Sequence, residues 1–307
     1  MSTELSTQLA SWKAQGSYIT YGPKGFRVFV MQLGDASASV DKTLLLLHGF
    51  PESSYSYHTV VEGLLQVFDR IILFDMIGYG HSDKPMEEYS YSLMDQADTA
   101  FAVWRHFGIT GGHMLSHDMG DSVATEILAR HENHMMPAWF SDGLRSCTFT
   151  NGSMVLDLAK LRITQKILLS KRGYLMQNLT TFKLFSQQVK SAHGNTNLSN
   201  EEVDRLWEAN TLQDGHKKTY LSIRYLNDRK KFEKTRWLPA LGVTKLPVHV
   251  CWGDQDAVAR VEMVHYLKKN ICKNADLTIM KGVGHFGQLG NPQKWLESVS
   301  RFYRKET

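Results

Sequence analysis

Short apolar runs of strand length recur along this chain, and helix-patterned stretches separate them. The runs read "TLLLLHG", "RIILFDM", "GHMLSHD", "RSCTFTNG", "LPVHVCWG" and "DLTIMKGVG". Several are apolar almost throughout, which is typical of strands buried on both faces of a parallel sheet. The alternation predicts the α/β class, with a mostly parallel sheet that helices cover on both faces. Two more runs, "GSYITYG" and "FRVFVMQLG", predict an antiparallel hairpin at one edge.

The alternation is interrupted between residues 153 and 236. The pattern there is helical and strongly charged, and "NEEVDRLWEAN" has the composition of a capped helix start. We interpret residues 153–236 as a helical lid inserted into one α/β domain, which residues 1–152 and 237–307 form together. With 307 residues, 42% of them hydrophobic, the chain can bury one large core as well as this insertion.

Positive charge is concentrated in the same segment. Residues 153–236 contain 16 Lys and Arg against 8 Asp and Glu, whereas the rest of the chain contains 19 against 23. Two interpretations stay open: a solvated helical surface, or a basic segment that attracts anionic substrates or an anionic membrane surface. The basic residues are scattered and match no nucleic-acid-binding motif, so we expect no nucleic-acid partner.

The remaining composition predicts a cytoplasmic protein without a transmembrane segment. The N-terminal residues lack the basic start and apolar stretch of a secretion signal, and the apolar runs are too short to cross a bilayer. Three cysteines, Cys147, Cys251 and Cys272, lack the spacing of metal ligands, and we expect them to be reduced core residues. We therefore expect no metal site, and the oligomeric state stays open.

The letters "SHDMG" have the spacing of a sharp turn between a strand and a helix, which exposes its central side chain. The apolar run "GHML" precedes the turn, and "DSVATEILAR" follows it with helical spacing. The central residue is Asp118, a candidate nucleophile. The N–H of Met119 lies at the start of the helix, where it can bind developing negative charge. The alternative is a buried aspartate that caps the helix.

A nucleophile of this kind needs a base and a group that orients the base. The loop "KGVGHFGQLGNP" places His285 just after the last predicted strand, as the base. In "VCWGDQDAV", Asp256 is the preferred orienting acid over Asp254 because it lies three residues after the glycine that ends its strand. The run "LLLLHGFPESS" exposes the N–H of Phe50, which can complete an oxyanion hole with Met119.

Together, the HGFP, SHDMG, GDQD and GVGH motifs resemble the epoxide hydrolase and haloalkane dehalogenase branch of the α/β-hydrolase superfamily, over nearly the whole chain. The resemblance implies an eight-stranded sheet with an inserted lid, and a triad of Asp118, Asp256 and His285. The chain departs from the family pattern after the histidine, where Gly287 and Gly290 replace the usual proline and acidic residue.

Epoxide hydrolases of this branch have two lid tyrosines that donate hydrogen bonds to the epoxide oxygen. Resemblance places Tyr225 as the second of them and Tyr174 as a candidate for the first. Tyr220 lies about 140° around a helix from Tyr225, so we expect only one of these two to face the cavity. His117, next to the nucleophile, is assigned with Tyr174 to substrate binding. Haloalkane dehalogenases carry a halide-binding tryptophan where this chain has Met119.

These observations predict an enzyme that opens epoxides to vicinal diols through an ester on Asp118. The substrate is expected to be small and apolar or amphipathic, and the reaction needs no cofactor. Two alternatives stay open. One is haloalkane dehalogenation, and the other is a hydrolase-fold protein that binds or signals without catalysis.

Overall fold

The apolar runs form the strands of one sheet in the computed structural model of the chain, which describes residues 5–159 and 161–306. The strands are β1 (Ser17–Tyr21), β2 (Phe26–Gly34), β3 (Thr43–Leu47), β4 (Arg70–Phe74), β5 (Gly111–His117), β6 (Gly143–Thr150), β7 (Val248–Gly253) and β8 (Asp276–Met280). Their order in this eight-stranded sheet is β1-β2-β4-β3-β5-β6-β7-β8. Pairing is antiparallel for β1 with β2 and for β2 with β4, and parallel elsewhere. The predicted fold class and edge hairpin are confirmed.

Helices cover the sheet and fill the segment between β6 and β7. The α-helices are α1 (Thr7–Ala14), α2 (Val61–Leu64), α3 (Leu93–His106), α4 (Met119–Glu132), α5 (Ile163–Leu169), α6 (Phe182–His193), α7 (Asn200–Thr211), α8 (Thr219–Ser222), α9 (Tyr225–Phe232), α10 (Leu238–Val243), α11 (Val261–Tyr266), α12 (Gly287–Gly290) and α13 (Pro292–Glu306). Helices α5 to α9 fall within residues 153–236, which we call the lid segment. No helix within the described ranges is long and apolar enough to cross a membrane.

The core lies on both faces of the sheet because the central strands β3, β4 and β5 are buried at every position. In β3, Leu45 packs in a cluster with Trp104, whereas its neighbour Leu46 packs in a second cluster with Trp295. Neighbouring residues of a strand point to opposite faces, so each face of β3 is covered. Burying one such leucine contributes about 2 kcal/mol. The three cysteines are buried and free, as predicted.

The end of the lid segment is fastened to the core through a buried carboxylate. Glu126 of α4 accepts hydrogen bonds from Nε and Nη2 of Arg236 at 2.7 and 3.0 Å and from Nε1 of Trp237 at 2.9 Å. Nε of Arg130, in the same helix, donates to it at 2.8 Å. Burial alone raises the pKa of Glu126, but these donors outweigh it and hold the pKa below its ordinary value. The carboxylate therefore stays ionised and ties the lid segment to α4.

Candidate active site

The candidate catalytic residues all follow strands at one edge of the sheet. Phe50 follows β3, Asp118 follows β5, Asn151 follows β6, Asp256 follows β7 and His285 follows β8. These strands are parallel, so their carboxyl ends lie at the same edge, where α/β proteins bind their ligands. Residues far apart in sequence therefore meet there.

The turn at Asp118 presents the carboxylate to a cavity. Asp118 has φ 48° and ψ −110°, a strained conformation for a residue with a Cβ. A Cβ at Gly120 would lie 2.5 Å from the carbonyl oxygen of Leu47, so only glycine lets α4 pack this closely on β3. The Asp118 side chain makes no capping hydrogen bond to α4. This geometry disfavours the helix-capping interpretation of Asp118.

The carboxylate of Asp118 contacts a backbone donor and the candidate base. The N–H of Phe50 donates to its Oδ2 at 3.0 Å. Nε2 of His285 lies 3.9 Å from its Oδ1. One carboxylate oxygen is therefore held by the predicted oxyanion-hole residue, and the other lies near His285.

His285 is oriented by Asp256 rather than by Asp254. Nδ1 of His285 lies 2.7 Å from Oδ2 of Asp256, and both side chains are buried. The second oxygen of Asp256 accepts the N–H groups of Val258 and Ala259 at 2.7 and 2.8 Å. Asp254 instead accepts the N–H of a loop glycine. The structure thus brings Asp118, His285 and Asp256 together as the sequence predicts.

Asn151 is a site residue that the sequence analysis did not assign. Its Nδ2 donates to Oδ2 of Asp256 at 2.7 Å, and its Oδ1 accepts the N–H of Gly253 at 3.2 Å. The side chain therefore joins the ends of β6 and β7 and orients the acid. Its position directly after β6 is the feature of the sequence that could have indicated a place in the site.

Charge around His285 controls its protonation. Burial alone lowers the pKa of His285, but the carboxylates of Asp256 and then Asp118 outweigh it and raise the pKa to about 9. The imidazole is therefore cationic at neutral pH in this arrangement. Any reaction that neutralises Asp118 removes one of these causes and lowers the pKa of His285.

The loop that carries His285 is held by the lid segment. The carbonyl oxygen of His193, at the end of α6, accepts the N–H of His285 at 2.9 Å, and its Nδ1 accepts the N–H of Phe286 at 3.1 Å. A Cβ at Gly290 would lie 2.6 Å from the His193 ring. The departure from the family pattern at Gly290 thus makes room for this contact, and no motif pointed to His193.

His117 lies behind Asp118, and its assignment to substrate binding stays a prediction that this geometry does not favour. Its side chain is fully buried, with Nε2 3.0 Å from Oε1 of the equally buried Glu52 and Nδ1 3.0 Å from the carbonyl oxygen of Thr150. Burial lowers the pKa of His117, but the Glu52 carboxylate outweighs it and raises the pKa. His117 points inward because successive side chains at the end of β5 alternate in direction. It is not among the residues that line the cavity.

The cavity above Asp118 has a volume of about 110 Å³ and is bounded by the core on one side and the lid segment on the other. The described residues that line it are Phe50, Pro51, Asp118, Ser153, Ala159, Leu161, Arg162, Thr164, Gln165, Leu168, Met176, Thr180, Leu184, Phe185, Gln188, Val189, Ala192, Asn210, Thr219, Tyr225, Leu226, Arg229, Val258, His285 and Phe286. Apart from Arg162 and Arg229, the described lid residues in this lining are uncharged.

Tyr225 is the one tyrosine in this described lining. Its ring centroid lies 5.7 Å from that of Phe50. Burial, together with the charge of Asp118, raises its pKa, so the hydroxyl remains a hydrogen-bond donor. The expectation that Tyr220 points elsewhere agrees with its absence from the lining.

The position of Tyr174 does not favour its assignment to substrate binding, which stays a prediction. Its side chain is 50% exposed and lies in a 3₁₀ turn, Gly173–Asn178, whose contribution to the cavity is Met176. Because 3₁₀ residues two positions apart point in different directions, Met176 faces the cavity and Tyr174 faces solvent.

Met119 is the first residue of α4, directly after the nucleophile, and its side chain is buried where Sδ accepts a hydrogen bond from the Tyr79 hydroxyl at 3.2 Å. The role of its N–H in an oxyanion hole stays a prediction.

Within residues 5–159 and 161–306, no group of three His, Cys, Asp or Glu side chains is arranged to hold a metal ion.

Comparison with known proteins places this geometry in a family. The family model for the alpha/beta hydrolase fold matches residues 42–292. The mesoderm-specific transcript homolog protein of Bos taurus is 32% identical, over 97% of this chain and 89% of its own length. Epoxide hydrolase 3 of Xenopus tropicalis is 26% identical, over 97% and 80%.

Solved structures agree on the fold. A haloalkane dehalogenase variant from Bradyrhizobium elkanii superposes with a TM-score of 0.74 at 21% identity, covering 95% of this chain and 98% of its own. A crystal structure described as a putative epoxide hydrolase, from Klebsiella pneumoniae, gives 0.73 at 16% identity, covering 96% and 99%. The chain therefore belongs to the α/β-hydrolase fold family, in which mesoderm-specific transcript proteins, epoxide hydrolases and haloalkane dehalogenases are its relatives.

Proposed function

We propose that this protein hydrolyses epoxides to vicinal diols through an ester on Asp118. The observation that carries the proposal is the position of the Asp118 carboxylate, which opens on a cavity lined by Tyr225 and lies 3.9 Å from a histidine that is fixed by Asp256. A carboxylate displaces oxygen from a strained saturated carbon more readily than it attacks an amide. The substrate is a small molecule with an apolar portion that fits the cavity.

In the first step, Oδ1 of Asp118 forms a bond to an epoxide carbon, and the bond from that carbon to the ring oxygen breaks. The released alkoxide takes its proton from the hydroxyl of Tyr225, which regains one from water. Phe50 holds the other oxygen of Asp118, so the attacking oxygen is oriented toward the cavity. The product of this step is a hydroxyalkyl ester of Asp118.

In the second step, His285 removes a proton from water, and the water oxygen bonds to the carbonyl carbon of the ester. Esterification has removed the charge of Asp118, so the pKa of His285 falls and the neutral imidazole can act as a base. The N–H groups of Phe50 and Met119 bind the oxyanion. The intermediate then expels the diol, which takes the proton from His285, and Asp118 retains one oxygen from water.

The residues that line the cavity favour an epoxide substrate over a haloalkane substrate. No tryptophan occurs among the described residues around the cavity, so it lacks the indole N–H that binds a departing halide in dehalogenases. Tyr225 instead supplies an O–H donor suited to an alkoxide. Haloalkane dehalogenation and binding without catalysis remain as outcomes of the test.

A single turnover in heavy-oxygen water, with enzyme in excess over a terminal epoxide, tests the mechanism. The first diol should contain no heavy oxygen, and the peptide that contains Asp118 should gain it. Heavy oxygen in the first diol would exclude the ester. A panel that scores diol and halide release decides the substrate class, and halide release without diol formation would replace this proposal with dehalogenation. The absence of both products and of any covalent adduct would favour a binding protein.

A further inference from the structure

Besides Tyr225, a charged side chain of the lid segment, Arg229, reaches the turn at Asp118. Arg229, one turn after Tyr225 in α9, is 3% exposed and lines the cavity. Its Nε donates to the hydroxyl of Ser122 at 2.8 Å, and its Nη2 lies 3.4 Å from the carbonyl oxygen of Asp118. Its guanidinium also lies 4.9 Å from the ring centroid of Tyr225. The cation therefore contacts the backbone of the turn that carries the Asp118 carboxylate.

The hydrogen-bond partners of Arg229 are neutral, whereas a buried cation is normally paired with an anion. Among the described residues, no carboxylate lies within ion-pairing distance of it. A guanidinium has five N–H donors, and the hydroxyl and carbonyl it contacts use only two. Burying a charge without a counter-ion is costly. The position is therefore suited to an anion that arrives from outside the chain.

Glu233 does not fill this role. It lies one turn later along the helix, and one of its oxygens accepts the N–H of Leu156 at 3.0 Å. Burial raises the pKa of Glu233, and the charge of Arg229 opposes this shift only in part. Among the described residues, the lid segment therefore brings Arg229 to the cavity without an acid in direct contact with it.

The balance of charge changes during the proposed reaction. Asp118 is the one acidic residue in the described lining, which also contains Arg162 and Arg229. Esterification neutralises Asp118, so the lining then has two guanidinium groups and no anion. A carboxylate on the substrate would supply that anion in both steps.

We propose that the cavity selects substrates that carry a carboxylate, and that Arg229 binds this group through its free N–H donors. The substrate class is then an epoxy acid whose hydrocarbon portion contacts the apolar lining. The identity of the reacting group rests on the proposed function, but carboxylate binding by Arg229 does not. The two can therefore fail separately.

Binding of unreactive ligands tests the inference without any chemistry. Hexanoate, hexanamide and hexanol have the same chain length and differ in the head group. Calorimetric titration of the wild-type protein should show hexanoate binding about ten- to a hundredfold more tightly than hexanamide, as expected for a charge-assisted hydrogen bond. Equal affinity of the three ligands would overturn the inference, whatever the enzyme catalyses.

Two variants assign the effect to one residue. Arg229→Gln keeps a donor for Ser122 and removes the charge, so it should abolish the preference for hexanoate. Lys230→Gln removes a charge from the neighbouring, exposed position and should keep the preference. If the Lys230 variant loses it as well, the effect is long-range attraction rather than a site. If Arg229→Gln weakens all three ligands equally, Arg229 is a structural residue and the inference fails.

Kinetics then separate the inference from the proposed function. With 5,6-epoxyhexanoate and its amide, Arg229→Gln should raise KM for the acid at least tenfold more than for the amide and change the ratio of their kcat values little. Turnover of both epoxides with equal KM by the wild type would sustain epoxide hydrolysis and reject the carboxylate site. Selective hexanoate binding without turnover of either epoxide would do the reverse.

Discussion

The core side and the lid side of the cavity are built in different ways. On the core side, Asp118, Asp256 and His285 follow strands and are held by backbone N–H groups and buried side chains. On the lid side, Tyr225 and Arg229 project from one short helix, and the surrounding lining is largely apolar. Geometry on the core side is fixed by hydrogen bonds to the sheet ends, whereas geometry on the lid side depends on how helices pack.

This difference assigns separate tasks to the two sides. The core side contains the proposed nucleophile, the proposed base and backbone donors, which suit ester formation and hydrolysis for any substrate that reaches them. In the proposed function, the lid side contacts the rest of the substrate. Changes on the core side should therefore affect the reaction steps most, and changes on the lid side should affect which substrates react.

The largest effect is expected for Asp118→Ala on the core side. Without the carboxylate no ester forms, so turnover should fall by about 10⁴-fold or more. Intact-protein mass spectrometry should show no adduct at any time. Residual turnover within tenfold of wild type would show that water attacks the substrate directly.

Replacing His285 with Gln should separate the two steps. Alkylation of Asp118 continues, whereas ester hydrolysis loses its base and slows by about 10²–10⁴-fold. The protein should therefore gain the mass of the substrate and keep it. A variant that turns over normally, or that never gains this mass while wild type is active, would contradict the role of His285.

On the lid side, Tyr225→Phe should lower the rate of ester formation from an epoxide by about 10²-fold, because the alkoxide loses its donor. The rate of ester hydrolysis should change little. Rapid-quench measurement of both steps checks this. Equal slowing of the two steps would indicate a packing role for the ring instead of a donor role for the hydroxyl.

The rate of ester hydrolysis should depend on pH more steeply than the rate of ester formation. Below the pKa of His285 the difference should be about tenfold per pH unit. The pKa of His285, about 9 in the resting enzyme, falls when Asp118 is esterified. Ester hydrolysis needs the neutral imidazole, so its rate should rise with pH to a plateau, with a midpoint below 9. Single-turnover rates between pH 5 and about 9 measure this midpoint. A hydrolysis rate that falls as pH rises would exclude His285 as the base.

The smallest effect is expected for Tyr174→Phe. The Tyr174 side chain is half exposed and lies outside the described lining of the cavity. Rates of both steps should stay within about twofold of wild type, as for most surface changes. A loss comparable with that of Tyr225→Phe would mean that the lid segment closes further over the substrate and brings Tyr174 into the cavity.

The core side could be predicted from the sequence to a large extent. Each of Phe50, Asp118, Asp256 and His285 stands just after an apolar run, and the ends of parallel strands meet at one edge. The geometry also agrees with the preference for Asp256 over Asp254, because Asp256 is the residue that contacts His285. The buried position of His117 was not expected, because the sequence does not reveal which side of the strand end a residue faces once the turn begins.

The lid side could be predicted less well. Tyr225 was found through resemblance to epoxide hydrolases, and the same resemblance placed Tyr174, which faces solvent. The sequence offered no reason to assign Arg229 or His193 to the site, because a charged residue or a histidine on an amphipathic helix usually lies on its solvated face. Their contacts depend on residues more than 90 positions away in the chain, such as Phe286 for His193.

By itself, the sequence determined the α/β class, the order of the strands along the chain and the residues that stand at their ends. These follow from local hydrophobic periodicity and from glycine positions, which act within a few residues. Only the tertiary structure decided which lid side chains reach the cavity, and that Asn151 contacts Asp256 and His193 holds the loop of His285. Those contacts arise from how helices pack across the sheet edge, and packing of this kind leaves no periodic signal in the sequence.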